Sequence, residues 1–269
     1  MLLARTSILI LTLLTAEALF AERPFLTEEA ATTEPAILTL DTGLLFRDQP
    51  RDFGVAPRNR QWDFGEIRLS FGLGRVAELQ VSGTVVSAID DGSRSSTNSG
   101  DWTFGTKIWL AAEKGRRPAL AFLYEVKLPN GSDEDGGVTD ETDFFGYLIA
   151  SKSLTDGSWL HANLGLGILG SPFDNASQND VYILRVAFER PLSTRRLVGV
   201  EGIAEGGPDR GDDPRYLRVI YARKLRRWVL YGALGTGFSK DSDRLQLAAG
   251  LRSRFDLWRP VGLPQASRW

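Results

Sequence analysis

His161 is the only histidine of the 269-residue chain, which has no cysteine. Asn163 follows two residues on, so in an extended strand both side chains point to the same face. A histidine aligned with a serine and a polar orienting group can carry acyl transfer or hydrolysis. The sequence sets no serine beside this pair, and the expected role of His161 is a hydrogen-bonding imidazole on an inward wall. One imidazole without thiolates cannot assemble the usual zinc or copper ligand sets. The acidic run Ser132–Asp135 offers oxygen ligands for Ca²⁺ but lacks the regular ligand spacing of a calcium loop, and a solvated external loop is expected there. The glycine-rich runs Gly165–Gly170 and Gly232–Gly237 lie inside strand-patterned segments with no helix behind them, so they are not phosphate cradles. Glycine there permits bending or close packing. No cofactor is expected.

The remaining chemistry lies in charged residues that recur on one parity of alternating segments. They are Glu66, Arg68, Glu78, Lys107, Glu125, Lys127, Arg185, Glu189, Glu201, Arg218 and Arg252. With apolar residues between them, all would project to one side of a sheet. Two readings stay open. The charges line a polar channel whose acidic and basic walls set up a transverse field, with His161 on the same wall. Alternatively they form ion pairs that fill a barrel too narrow to conduct. Barrels of about eight strands are filled by side chains, whereas porins of about 16–18 strands enclose open channels.

The elements that would hold these residues are strands. Twelve alternating segments are predicted: Ala36–Arg47, Gln61–Leu73, Val76–Ala88, Asp101–Ala112, Pro118–Leu128, Thr142–Leu154, Ser158–Leu169, Asp180–Arg190, Arg195–Glu205, Pro214–Leu225, Arg227–Phe238 and Asp243–Phe255. Each has the length of a tilted transmembrane strand. Connections alternate between long polar loops (such as Asp48–Arg60, Ile89–Gly100 and Pro129–Glu141) and tight turns (such as Gly74–Arg75, Thr155–Gly157 and Arg226). That sorting is the layout of an outer-membrane barrel, with short periplasmic turns and longer external loops. The expected fold is all-β: a single antiparallel up-and-down transmembrane barrel of about twelve strands.

Charge confined to one parity agrees, because a charge on the lipid face near the midplane costs about 2–4 kcal/mol. Ile67, Leu69 and Phe71 would face lipid with Glu66, Arg68 and Ser70 inward, and Leu247, Ala249 and Leu251 would face lipid with Gln246, Gly250 and Arg252 inward. The faces of Thr142–Leu154 and Arg227–Phe238 alternate less cleanly. Trp62, Trp102, Trp159, Tyr182, Tyr216, Trp228 and Phe255 fall near strand ends and are expected to form interfacial girdles.

Arg5, the apolar run Ile8–Leu14 and the small residues Ala16, Ala18 and Ala21 make residues 1–21 an expected secretory signal peptide. Residues 22–35 form an N-terminal segment, in the periplasm or inside the barrel; 36–255 are the barrel; 256–269 are a tail. No run reaches the roughly 18 apolar residues of a spanning helix, so membrane entry requires a closed barrel. A formal net charge of -2 argues against nucleic acid as a partner.

EVKLPNG (Glu125–Gly131), the acidic loop after it and TDFFGYLIASKSL (Thr142–Leu154) resemble the transporter-like outer-membrane family named for the meta-pathway of phenol degradation. DWTFGTKIWLAAEKGRRPALAF (Asp101–Phe122) is similar to that family's hairpin, and RPFLTEEAATTEPA (Arg23–Ala36) to its N-terminal entry. LQLAAGLRSRF (Leu245–Phe255) resembles the final-strand signal read by the barrel assembly machinery, except that here the chain continues to Trp269. The resemblance implies a barrel in the bacterial outer membrane, surrounded by its lipid, that moves small, hydrophobic or aromatic solutes. It assigns no binding residues. The expectation is therefore a passive channel or transporter and not an enzyme. The alternatives are a non-conducting barrel that presents its loops and, further off, a membrane-embedded lipase with a nucleophile beside His161.

Overall fold

The computed structural model describes residues 25–48, 60–90, 92, 95–130, 141–170, 178–207, 213–240 and 242–257. The expected signal peptide, the acidic run Ser132–Asp135 and the tail beyond Leu257 lie outside the described residues. Thirteen strands are formed among the described residues: β1 (Ile37–Asp48), β2 (Arg60–Gly72), β3 (Ala77–Asp90), β4 (Ser95–Asn98), β5 (Trp102–Ala111), β6 (Ala119–Leu128), β7 (Asp143–Ser153), β8 (Trp159–Gly170), β9 (Gln178–Ser193), β10 (Arg196–Gly206), β11 (Arg215–Leu225), β12 (Trp228–Gly237) and β13 (Leu245–Asp256). All but β4 are the expected segments, with ends shifted by a few residues. β4, in the expected loop Ile89–Gly100, pairs only with the far end of β3.

Every strand pair is antiparallel, and, β4 apart, each strand lies beside its chain neighbours. β1 pairs with both β2 and β13, and β3 with both β2 and β5, so the sheet closes on itself as a twelve-stranded barrel with β4 as a flap. Closure removes the exposed edges that an open sheet would present to lipid. At the β1–β13 seam, Arg252 grips Asp41 with two hydrogen bonds, Nε to Oδ1 at 2.8 Å and Nη2 to Oδ2 at 3.1 Å. Both side chains are buried, so their pairing offsets part of the cost of taking each charge out of water.

The tight turns share one end of the barrel with the chain's entry to β1 and its exit from β13, and the long loops share the other. The outer wall is apolar along every barrel strand. Leu164 (60% exposed), Leu234 (54%), Val219 (53%) and Leu184 (49%) are examples of a band far too extensive for a water-soluble monomer. The loop-end girdle contains Phe46, Trp62 and Phe64, with ring centroids 4.6 Å and 6.1 Å apart in that order.

One detail of β2 is absent from simple alternation. Trp62 and Phe64 face out on even positions, whereas Ile67, Leu69 and Phe71 do so on odd ones. The register shifts at this point, with Gly43 opposite Glu66 and Leu44 opposite Phe64, and leaves Gly65 as the extra residue. Gly65 has a φ of 65°, a left-handed conformation that glycine adopts freely, so it forms a bulge that resets the facing of the strand. Trp159 and Tyr216 also differ from expectation. Both lie on the inward parity, and the Trp159 ring stacks on His161 with centroids 6.1 Å apart.

Candidate functional site

The inward face of the barrel is occupied by the chain's own N-terminal segment, Phe25–Glu34. Phe25, Thr27, Glu28, Ala30 and Thr33 are buried, Ala30 completely. The segment is neither helix nor strand, so its backbone N–H groups have no ladder partners and must be satisfied by the wall. Inward side chains from four strands do this. Glu201 on β10 accepts from the N–H of Leu26 (2.9 Å), the N–H of Thr27 (3.0 Å) and the Thr27 hydroxyl (3.0 Å). Asn163 on β8 accepts from Glu28 N–H at 2.7 Å and donates to the Glu28 carbonyl at 2.8 Å. Ser151 on β7 accepts from Ala30 N–H at 2.8 Å, and Glu78 on β3 accepts from Thr33 N–H. The segment thus crosses from the β10 side of the lumen to the β3 side. At its far end Glu34 pairs with Arg254 of β13.

Charges lock this crossing. The Glu28 carboxylate is bound by Arg68 and lies 3.4 Å from Lys107 Nζ and 3.4 Å from Gln80 Nε2. Lys107 is also 3.5 Å from Glu78, and Arg68 3.9 Å from Glu125. Four of the charges expected to face inward, Arg68, Glu78, Lys107 and Glu125, therefore meet Glu28 of the segment in one cluster on β2, β3, β5 and β6. A second cluster holds the start of the segment: Arg218 donates to Glu201 at 2.9 Å, and Arg185 donates to the Leu26 carbonyl at 3.0 Å while lying 5.1 Å over the Tyr147 ring. The other sequence-derived positions are separate. Lys127 sits near the loop end between Asp143 (2.6 Å) and Asp101 (3.3 Å), Arg252 is at the seam, and Glu66 is half-buried on the inward parity above Arg68.

His161 has a neighbour that the sequence reading did not assign. Ser151 Oγ is 2.8 Å from Nδ1, and Glu189 Oε1 is 3.8 Å from Nε2. With the imidazole proton on Nε2, Nδ1 accepts the serine proton while Ser151 Oγ accepts from Ala30 N–H. The hydroxyl is thus engaged on both sides and covered by the N-terminal segment. The signal for this pair was in the hairpin. Counting outward from the Thr155–Gly157 turn puts Ser151 directly opposite His161.

The lumen is also two-sided in character. Leu123, Tyr147, Ile149, Leu169, Val181 and Ile183 form an apolar cluster around Ala30. A second one gathers Leu197, Ile220, Ala222 and Val229 around Phe25. Phe25 fits there because position 199 is glycine; a Cβ on Gly199 would come within 2.2 Å of its ring. Both apolar clusters lie on the β6–β12 wall, interleaved there with Glu125, Arg185, Glu189, Glu201 and Arg218, whereas neither reaches the β1–β5 side. Charge periodicity marks both walls and strand parity also turns Gln80 inward, but Glu28 and Asp41 were missed for lack of any local pattern marking them.

With this geometry in view, comparison with known proteins is informative about fold and kinship. Residues 23–258 match the family model described as "Putative MetA-pathway of phenol degradation". Among solved structures, a KdgM porin in complex with disordered oligogalacturonate superimposes with a TM-score of 0.54 at 10% identity, covering 81% of this chain and 99% of that one. The translocator domain of the autotransporter NalP from Neisseria meningitidis gives 0.53 at 12% identity, covering 81% and 88%. At such identities the likeness concerns the fold, an outer-membrane β-barrel. No curated protein matches the sequence.

Proposed function

Because the chain belongs to the phenol-degradation MetA-pathway family, we propose that it is a gated outer-membrane conduit for small amphiphilic molecules, aromatic ones included, closed at rest by its own residues Phe25–Glu34. The observation that carries this is how the segment is held. It fills the lumen through side-chain hydrogen bonds and ion pairs to the wall, with no strand pairing inside the barrel. Such contacts can be exchanged one at a time for water or solute. Removing the segment would leave Lys107 still beside Glu78 and Glu201 still on Arg218, so the wall keeps charge partners of its own. The path then uncovered would carry charged groups on both sides and apolar patches on the β6–β12 side. A molecule with a ring and a polar group can satisfy both, whereas a small ion uses only one.

The test is conductance of the refolded mature protein in a planar bilayer, with and without residues 25–34. The intact protein is expected to be mostly silent with rare openings, and the deletion to show long-lived steps. A folded, inserted deletion variant that stays silent would refute the conduit and leave a structural barrel that presents its loops.

A further inference from the structure

We infer that the turn-end surface of β9–β12 is a binding site for the phosphate headgroups of anionic phospholipids. It surrounds a groove of about 1000 Å³ formed by the β9–β10 turn at Thr194–Arg195 and the run Arg223–Trp228 (RKLRRW). Residues 190–200 and 222–238 contain no aspartate or glutamate. Arg195, Arg196, Arg223, Arg226 and Arg227 are exposed, and none of them has a carboxylate partner among the described residues.

Two features single this cluster out from an ordinary solvated charged face. Arg196 lies directly opposite Arg223 in the β10–β11 ladder. Like charges in that position repel, and an anion bridging them turns the repulsion into attraction. Arg226 has a φ of 51°, a left-handed conformation that favours glycine or asparagine. The turn thus carries an arginine where its backbone would be better served by glycine or asparagine.

Position supplies the occupant. Arg196 and Arg223 continue the lipid-facing parity of their strands, immediately below Val198, Val200, Val219 and Tyr221. Trp228, exposed on the same face, has the amphipathic ring suited to the headgroup layer. A lipid that reaches this point places its chains on the apolar band and its phosphate among the arginines. Guanidinium forks match phosphate oxygens in pairs, so phosphatidylglycerol or cardiolipin fits and a zwitterionic lipid fits less well.

The experiment is native mass spectrometry of the full mature protein released from nanodiscs of phosphatidylcholine with stepped cardiolipin. The parent is expected to retain cardiolipin at least fivefold above phosphatidylcholine. Arg195→Gln/Arg226→Asn/Arg227→Gln is expected to lose that preference, while Lys114→Gln/Arg116→Gln/Arg117→Gln on the β5–β6 turn retains it. Arg226→Asn alone should fold at least as stably as the parent, since it relieves the backbone, and still bind less lipid; this separates binding from folding. Excess inorganic phosphate tests the source: displacement of the lipid by millimolar phosphate would mean a free-phosphate site and overturn the assignment to lipid. Equal retention of both lipids by the parent, or unchanged preference in the triple variant, would also overturn it.

Discussion

Glu28→Ala is the sharpest perturbation of the closed state, because it removes a charge from the plug and leaves the wall's own pairs in place. In the parent, Glu28 is bound to Arg68 and lies 3.4 Å from both Lys107 and Gln80. Removing one partner of a buried ion pair costs about 3–5 kcal/mol when the other charge is left alone. Here Lys107 keeps Glu78 at 3.5 Å and Arg68 keeps Glu125 at 3.9 Å, so the low end, roughly 3 kcal/mol, is the appropriate figure. At about 1.4 kcal/mol per factor of ten, that moves the closed–open equilibrium roughly a hundredfold toward open. The assay is single-channel open probability, with the deletion of residues 25–34 setting the ceiling. Thermal melting should change little, because the barrel ladder is untouched. The reasoning is refuted if the deletion conducts steadily while Glu28→Ala opens no more often than the parent.

Three further outcomes follow from the geometry. Ser151→Ala removes the acceptor of the buried Ala30 N–H, a loss of about 1–3 kcal/mol, and should raise open probability roughly tenfold; hydrolysis of a nitrophenyl ester should stay at background in parent and variant, and a parent activity lost on substitution would instead make Ser151, His161 and Glu189 catalytic. Asp41→Ala removes the carboxylate that accepts two hydrogen bonds from the buried Arg252 at the seam, so a destabilisation of roughly 3 kcal/mol is expected, read as a lower temperature for loss of the compact band on an unheated gel. At the β5–β6 turn, burial pushes the Glu113 carboxyl up, but hydrogen bonds from Lys152 and from the Ser153 hydroxyl and N–H outweigh it and hold the carboxyl below its ordinary range. A lowered folded pKa stabilises the fold above the ordinary carboxylate range and is lost as pH falls through the lowered value. The stability difference between parent and Glu113→Gln in urea should therefore be full at neutral pH and vanish on acidification.

The barrel was legible because lipid outside and polar groups inside impose one rule on every strand. Leu247, Ala249 and Leu251 had to face opposite to Gln246 and Arg252, and loop length alone sorted the two ends. The rule fails where the backbone stops alternating. At Gly65 the bulge exchanges odd for even, so Trp62 could not be placed by extrapolating from Ile67. It fails again where parity is right but content misleads. Trp159 has the residue type of a girdle, yet it shares the face of His161 and Asn163 and stacks inside. Tyr147 and Ile149 are apolar and still point inward, because in this barrel a stretch of chain lies against them in place of water.

That stretch, Phe25–Glu34, explains why a list of inward charges was not yet a site. In its sequence there is no periodicity, since each of its residues meets a different strand and none repeats the environment of its neighbour. Its anchors are single side chains far away in sequence, 175 positions from Leu26 to Glu201 and 220 from Glu34 to Arg254. The two kinds of pairing in the lumen have different consequences. Asp41 with Arg252 joins wall to wall, and breaking it costs the barrel. Glu28 with Arg68 joins wall to plug, and in the proposed conduit breaking it costs only the closed position. A barrel whose charges served merely to fill space would have no reason to keep a second carboxylate, Glu125, within 3.9 Å of Arg68 when Glu28 already occupies that arginine. In the proposed conduit, with the plug gone, Glu125 and Glu78 would keep the wall beside Arg68 and Lys107 close to neutral, so the same side chains could support an open lumen.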